Sequence, residues 1–194
     1  MAGYYAYLLS SLPMLHFGVK PPITFEAFQA VCRGLVSDEE LGLLEALGKS
    51  SLSFFSAMGK SSLSPFSRPG AFPDETAWPG AVRAWASFER MLRNELAKVR
   101  AARQHKEAGP YLRGDAGAEA AFTQLAVNAS RHPDILESER MLDAARWQGL
   151  EAQCFGHYFD VDALMIYGLK LLILERWQRV RGADTEKALG AIDL

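Results

Sequence analysis

The stretch FDVDALMIYGLKLLILERWQRVRG, residues 159–182, constrains the fold more than any other part of this 194-residue chain. Asp160 or Asp162 supplies a capping carboxylate at its start. Arg176, Arg179 and Arg181 crowd its end, where the helix dipole favours positive charge, and Gly182 stops it. Between those ends Leu164, Ile166, Leu169, Leu171, Leu172, Ile173 and Leu174 leave hardly any polar side. A helix that is apolar all round has to be covered on several sides. The apolar run from Ala163 to Leu174 is too short to span a bilayer, so the cover must be protein. The stretch therefore predicts the buried C-terminal helix of an all-α, multi-helix bundle. Lys170 is the one charge within it. Either its stem packs while the ammonium reaches the rim, or it forms a buried pair with a carboxylate such as Glu151 or Asp143.

Helical patterns fill most of the remaining chain. YYAYLLSSL, residues 4–12, is a buried strand or a short helix, and its periodicity does not decide between them. In PPITFEAFQAVCRGL, Thr24 is an N-cap, and Phe28, Val31, Cys32 and Leu35 share a face. Ser37 begins a second helix, with Glu40 completing a capping box and Leu41, Leu44 and Leu47 on its apolar side. A long helix is predicted from about Pro79 to Lys106, striped by Trp85, Phe88, Leu92, Leu96 and Val99. Glu89 and Arg93 on it form an i,i+4 pair in the favourable order. After Gly109-Pro110, Asp115 caps a short helix bearing Ala118, Ala121, Phe122, Leu125 and Ala129. Pro133 then opens a further helix with Asp134 and Glu137 in its first turn. Met141, Leu142, Ala145, Gly149 and Ala152 form one face of it, small enough for a neighbouring helix to approach closely.

Between the first helices and the long one, the word GKSSLS occurs twice, at Gly48 and at Gly59. A phosphate-binding loop needs G-x-x-x-x-G-K-[ST], because backbone N–H groups must wrap the phosphates before the lysine reaches them. The first glycine of that pattern would fall on Leu43 or Phe54, and a helix rather than a strand precedes it. The stretch therefore reads as a Gly/Ser/Pro-rich connector, pinned to a core through Leu52, Phe54, Phe55, Leu63 and Phe66. The organisation expected is an N-terminal helical segment over 1–48, the connector over 49–78 and a helical domain over 79–194, together one folded unit.

Little reactive chemistry is visible. Cys32 and Cys154 lie far apart with no CxxC, which suggests neither a metal site nor a disulfide framework and fits a reduced cytoplasmic setting. The amino terminus lacks the features of a signal peptide. His16, His105, His132 and His157 are dispersed, and none is read as having an i,i+3 or i,i+4 His, Cys or acidic partner that would suggest a metal site on a helix; His132 reads as a helix-boundary residue and His157 as a turn residue. Asp160 and Asp162 are caps rather than an acid–base couple. There is no nucleophile elbow and no dinucleotide fingerprint. No enzyme, cofactor or metal is expected.

A formal charge of −2 argues against general affinity for nucleic acid, yet the charge is uneven. From Arg83 to Arg113 eight basic residues face three acidic ones. That face is either solvated or meets an acidic partner protein, with Arg90, Arg93, Lys98 and Arg100 as the candidate partner surface. Nucleic acid fits it poorly, because no aromatics interleave with the basic residues.

Two stretches resemble a known family. One is YYAYLLSSLPMLHFGVKPPITFEAF, residues 4–28. The other runs from Pro133 to Val180 and holds E-x-x-L-D-x-x-R-W at Glu139–Trp147 and F-D-x-x-x-L-x-x-Y-x-L-K-L-x-I-L-E-R at Phe159–Arg176. They are similar to uncharacterised bacterial proteins encoded alongside V-type (A/V-type) ATP synthases and considered similar to the C-type subunit of those machines, the helical rotor socket. The resemblance implies an all-α, non-enzymatic subunit at the cytoplasmic, inner face of the membrane. It would link the central stalk to the membrane rotor ring and support proton or sodium transport, without spanning the membrane itself. Arg146 and Trp147 are then expected as structural anchors against Asp160 or Asp162, with Lys170 and Arg176 also structural. Two rivals stand beside this reading: a cytoplasmic helical adaptor or assembly factor unconnected with rotary ATPases, and an enzyme with an unfamiliar site.

Overall fold

The structure, a computed structural model, describes residues 2–59, 78–114 and 119–182. Among them are seven α-helices and no strand: α1 (Ala2–Ser11), α2 (Phe25–Cys32), α3 (Asp38–Gly59), α4 (Gly80–Arg103), α5 (Ala120–Arg131), α6 (Ile135–Gln153) and α7 (Val161–Gly182). A short 3-10 turn, Gly109–Tyr111, lies between α4 and α5. The expected all-α bundle is what forms, and α1 settles the choice between strand and helix at the amino terminus.

Helix α7 is the hub, packing against α2, α3, α4 and α6. Nine of its residues are buried, Leu164 to Ile166, Gly168, Leu169 and Leu171 to Leu174, as its all-round apolar pattern requires. They anchor the main core with Leu8 of α1, Phe25 and Phe28 of α2, Leu44 and Leu47 of α3, and Val82 and Trp85 of α4. A smaller core of Leu92, Leu96, Phe122, Ala126, Ala129 and Leu142 lies between α4, α5 and α6. Phe88 touches both, stacking on Trp85 at 5.7 Å and meeting Phe122 edge-on at 5.0 Å. It also reaches α6, where a Cβ on Gly149 would stand 2.9 Å from the ring, so that glycine does permit a close approach.

Helix starts are closed partly by local side chains and partly by neighbours. The first four N–H groups of a helix have no partner within it. Thr24 Oγ1 accepts from Ala27 N at 3.1 Å. Ser37 and Glu40 form the expected capping box, with Ser37 N donating to Glu40 Oε2 at 2.8 Å and Glu40 N to Ser37 Oγ at 3.3 Å. Tyr5 of α1 donates its hydroxyl to the same Glu40 carboxylate. Burial works to raise the Glu40 pKa, but the hydrogen bonds from Tyr5 and Ser37 outweigh it and hold the carboxyl below its usual range. Two further carboxylates, both on α7, close the starts of other helices: Glu175 accepts from Phe25 N at 2.6 Å and Asp162 from Ala81 N at 2.6 Å. The Ser37→Ala variant should lose about 1 kcal/mol of unfolding free energy, the usual effect of removing a capping hydroxyl. Urea denaturation checks this, and an unchanged midpoint would mean that Glu40 and Tyr5 hold the α3 start without it.

Several boundaries and faces differ from expectation. Helix α3 runs to Gly59, so the first GKSSLS copy is helical and not part of a connector. The physical reason sits at Gly48, where a Cβ would come within 2.6 Å of the Phe25 ring. What looked like a breaker is a packing glycine, although glycine inside a helix costs about 1 kcal/mol against alanine. Trp78, at the far end of the expected connector, is buried in the main core. Residues 60–77, with the rest of the second copy, Leu63 and Phe66, lie outside the described residues, as do Asp115 and Ala118. Val31 is exposed rather than on the apolar face of α2. Pro133 precedes the cap instead of opening α6; Asp134 is the cap, accepting from Leu136 N at 2.8 Å. The inward face of α6 is rotated from the small-residue face: Leu142, Asp143, Arg146, Trp147 and Leu150 are buried, and Ala152 is exposed.

Candidate functional site

The run Glu139–Trp147 places Glu139, Asp143 and Arg146 four and three residues apart, which puts them on one face of α6. That face turns inward, leaving Asp143 at 0% and Arg146 at 1% exposure. Buried charges have to be paired, and these are. Arg146 donates from Nε and Nη2 to both oxygens of Glu89 on α4, at 2.9 and 3.1 Å. Its Nη1 donates to Asp143 Oδ1 at 2.7 Å. From α7, Arg176 donates to Asp143 Oδ2 and, at 2.9 Å, to Glu139 Oε2. Trp177 Nε1 also donates to Asp143 Oδ2, at 2.8 Å. Arg93 closes the layer from the rim, its Nε donating to Glu89 Oε1 at 3.2 Å. Three carboxylates thus meet three guanidiniums where α4, α6 and α7 come together.

The electrostatics follow from that geometry. Burial alone would pull the Arg146 guanidinium down, but the Glu89 and Asp143 charges beside it hold it above its usual value. At Arg93 burial wins: the guanidinium is lowered despite Glu89, helped by the positive charges of Arg146 and Arg113. Arginine neither gives nor takes a proton near neutral pH. Chemically, the layer holds three helices in one register.

This corrects the expected role of Arg146 and Trp147. Neither meets Asp160 or Asp162. Pairings between α6 and α7 run in opposite senses, Asp143 with Arg176 and Glu151 with Lys170, so Asp160 lies beyond the closed end of the hairpin. Trp147 instead donates from Nε1 to Glu151 Oε1 at 2.7 Å. Lys170 sits over the Trp147 ring, 5.1 Å from its centroid, with Nζ 3.7 Å from Glu151 Oε1 and 3.8 Å from Cys154 Sγ. Its Glu151 partner is more than half exposed, so Lys170 combines the two expectations: a rim position and one of the two named carboxylates.

The basic face of α4 is also partly engaged within the fold. Arg93 is tied to Glu89, and Lys98 Nζ lies 2.5 Å from Glu95 Oε1. Glu95 is itself buried and accepts from Thr123 of α5 at 2.9 Å. Arg90 lies 3.5 Å from Ser87 Oγ, and its Cδ would meet a Cβ on Gly114 at 3.2 Å. Asn94 holds the following loop back against the helix, exchanging hydrogen bonds with the Arg113 backbone at 3.0 Å each. Arg100 is exposed. Of the four, Arg93 and Lys98 are thus paired with carboxylates of their own helix while remaining about a third exposed.

A second cluster lies where α7 and α4 begin. Asp160 caps its own helix, Oδ1 accepting from Ala163 N at 2.9 Å, while Asp162 caps α4. Between them His157 Nδ1 lies 2.7 Å from Asp160 Oδ2 and 3.8 Å from Asp162 Oδ2. In the sequence His157 and Asp160 read as separate turn and cap residues, and the three-residue step between them was the one signal that could have joined them. Among the described residues these three bring one potential ligand atom each within 4.8 Å of one another. Nδ1 is already engaged with the Asp160 carboxylate at 2.7 Å. Each carboxylate also has one oxygen committed to a helix N–H. The cluster is a junction of two capped helix starts. The hydrogen bond to Asp160, with the charges of Asp160 and Asp162, raises the His157 pKa against a smaller opposing effect of desolvation.

Among the described residues no helix is long and apolar enough to cross a membrane. A family model described as a protein of unknown function (DUF2764) matches residues 118–191, less than half of the chain. That span holds α5, α6 and α7, and with them Glu139, Asp143, Arg146 and Arg176, whereas Glu89 and Arg93 lie outside it. No curated protein and no solved structure matches the chain.

Proposed function

We propose that this chain is a non-catalytic component of a V-type (A/V-type) ATPase, like the C-type rotor-socket subunit, linking the central stalk to the membrane rotor ring and supporting proton or sodium transport. It would work at the cytoplasmic face of the membrane. The reading rests on the resemblance of residues 4–28 and 133–180, and one observation carries it furthest. The charged residues of the signature-like run, Glu139, Asp143 and Arg146, are engaged with Glu89 and Arg176 across three helices. Residues so engaged lock a shape and do not face a substrate. A stiff helical body is what torque transmission between a rotor and a stalk requires, with no bond made or broken. Arg100 and the exposed Arg83 and Arg103 of α4 supply positive charge for an acidic partner.

The test is recovery of the tagged chain from its native cells at moderate ionic strength, followed by identification of what co-purifies. The catalytic and the rotor-side subunits of the ATPase are expected together. A folded chain that brings down none of them ends the reading, and one that brings down a different assembly favours the adaptor.

A further inference from the structure

We propose that His157 is a proton-operated latch, joining the exposed aromatic turn between α6 and α7 to the starts of α4 and α7. The turn presents Phe155, Tyr158 and Phe159, which are 89%, 68% and 52% exposed. Gly156, at φ +87°, gives it the left-handed bend that a residue with a side chain rarely adopts. His157 sits in the middle of this turn and points back at two carboxylates, each of which holds a helix start through its other oxygen.

The groups around the imidazole define how it works. Asp160 and Asp162, both at the α7 start, are the charges that act on it. Helix α4 contributes the Ala81 N–H held by Asp162. Helix α1 contributes Tyr5, whose hydroxyl is bonded to Glu40 of α3 and whose ionisation the Asp160 charge disfavours. Protonated, His157 places a positive charge between two carboxylates that otherwise repel each other, and both stay seated on their helix starts. Deprotonated, it keeps at most the hydrogen bond to Asp160. Asp162 then faces Asp160 with no cation between them, and its hold on Ala81 loosens. The hydrogen bond to Asp160 and the two carboxylate charges raise the folded imidazole above its ordinary value, so the latch is closed on the acid side of that raised value. It opens as pH rises through the raised folded value.

Amide hydrogen exchange on the full chain, corrected for intrinsic rates, tests this between about pH 6 and pH 8.5, a range that brackets a raised imidazole. In the native sequence, protection at Ala81 and through residues 155–159 should fall severalfold as pH rises. In His157→Gln it should be low and flat. In Asp162→Asn the Ala81 amide should lose its pH response while His157, followed by NMR, titrates closer to an ordinary imidazole. Matching pH profiles in the native chain and His157→Gln would overturn the proposal, and so would a His157 titration that ignores Asp162→Asn.

Discussion

Arg146→Met should lower the free energy of unfolding by about 3 kcal/mol, read as a lower urea midpoint with an unchanged slope. The unbranched Met fills much of the same space, so lost packing contributes little. What changes is charge. Glu89 and Asp143 lie at 2% and 0% exposure and both lose the guanidinium between them. Removing one partner of a buried pair typically costs about 3–5 kcal/mol, because the remaining charge has neither water nor a counterion. Arg93 still reaches Glu89 from the rim, and Arg176 still holds Asp143, which places the loss at the low end of that range. Adding Glu89→Gln to Arg146→Met should recover part of the loss, since a buried amide needs no countercharge. A loss below about 1 kcal/mol would put the layer in the class of solvated surface pairs and remove its structural role.

The same layer shows where sequence reading reaches its limit. The C-terminal helix was legible because a run with no polar side has only one stable place, inside other helices. The α3 start was legible because a capping box is local, with both halves three residues apart. The charge layer was not legible as such, since Glu89 and Arg146 are 57 residues apart and nothing local tells a buried Glu89 from a solvated one. Its i,i+4 spacing to Arg93 suggested a local pair, and that pair does form, at the edge of something larger. One signal was available: charges recur at steps of four and three on α6, beside the positions assigned to its apolar face. A face carrying both Leu142 and Asp143 cannot be sorted by hydropathy alone. Gly48 misled for a related reason, because a glycine under an aromatic ring and a glycine in a loop look alike until the ring is in place. His157 was hidden by its neighbours: in a turn rich in aromatics and acids it reads as filler, and its link to α4 runs through Asp162 to a backbone N–H that no pattern marks.

Phe28→Ala should cost about 3–5 kcal/mol, the usual loss for a fully buried aromatic ring. Phe28 is wholly enclosed, with ring centroids 6.0 Å from Phe25 and 5.1 Å from Tyr167. Across from it on α7, Gly168 leaves the space the ring occupies: a Cβ there would stand 3.3 Å from Phe28, 3.3 Å from Phe25 and 3.6 Å from Leu44. Gly168→Leu should therefore cost about 1–3 kcal/mol, overpacking outweighing the roughly 1 kcal/mol gained by removing glycine from a helix. Each change alone harms the core in the opposite sense, one leaving a void and the other a crowd. Combined, the leucine grows into the volume that the ring vacated. The double variant should then be less destabilised than the two losses added, by about 1 kcal/mol or more, since residues in contact couple on that scale. Strict additivity in a double-mutant cycle would mean that α2 and α7 adjust independently. In that case α7 would not be the helix against which the others are fitted.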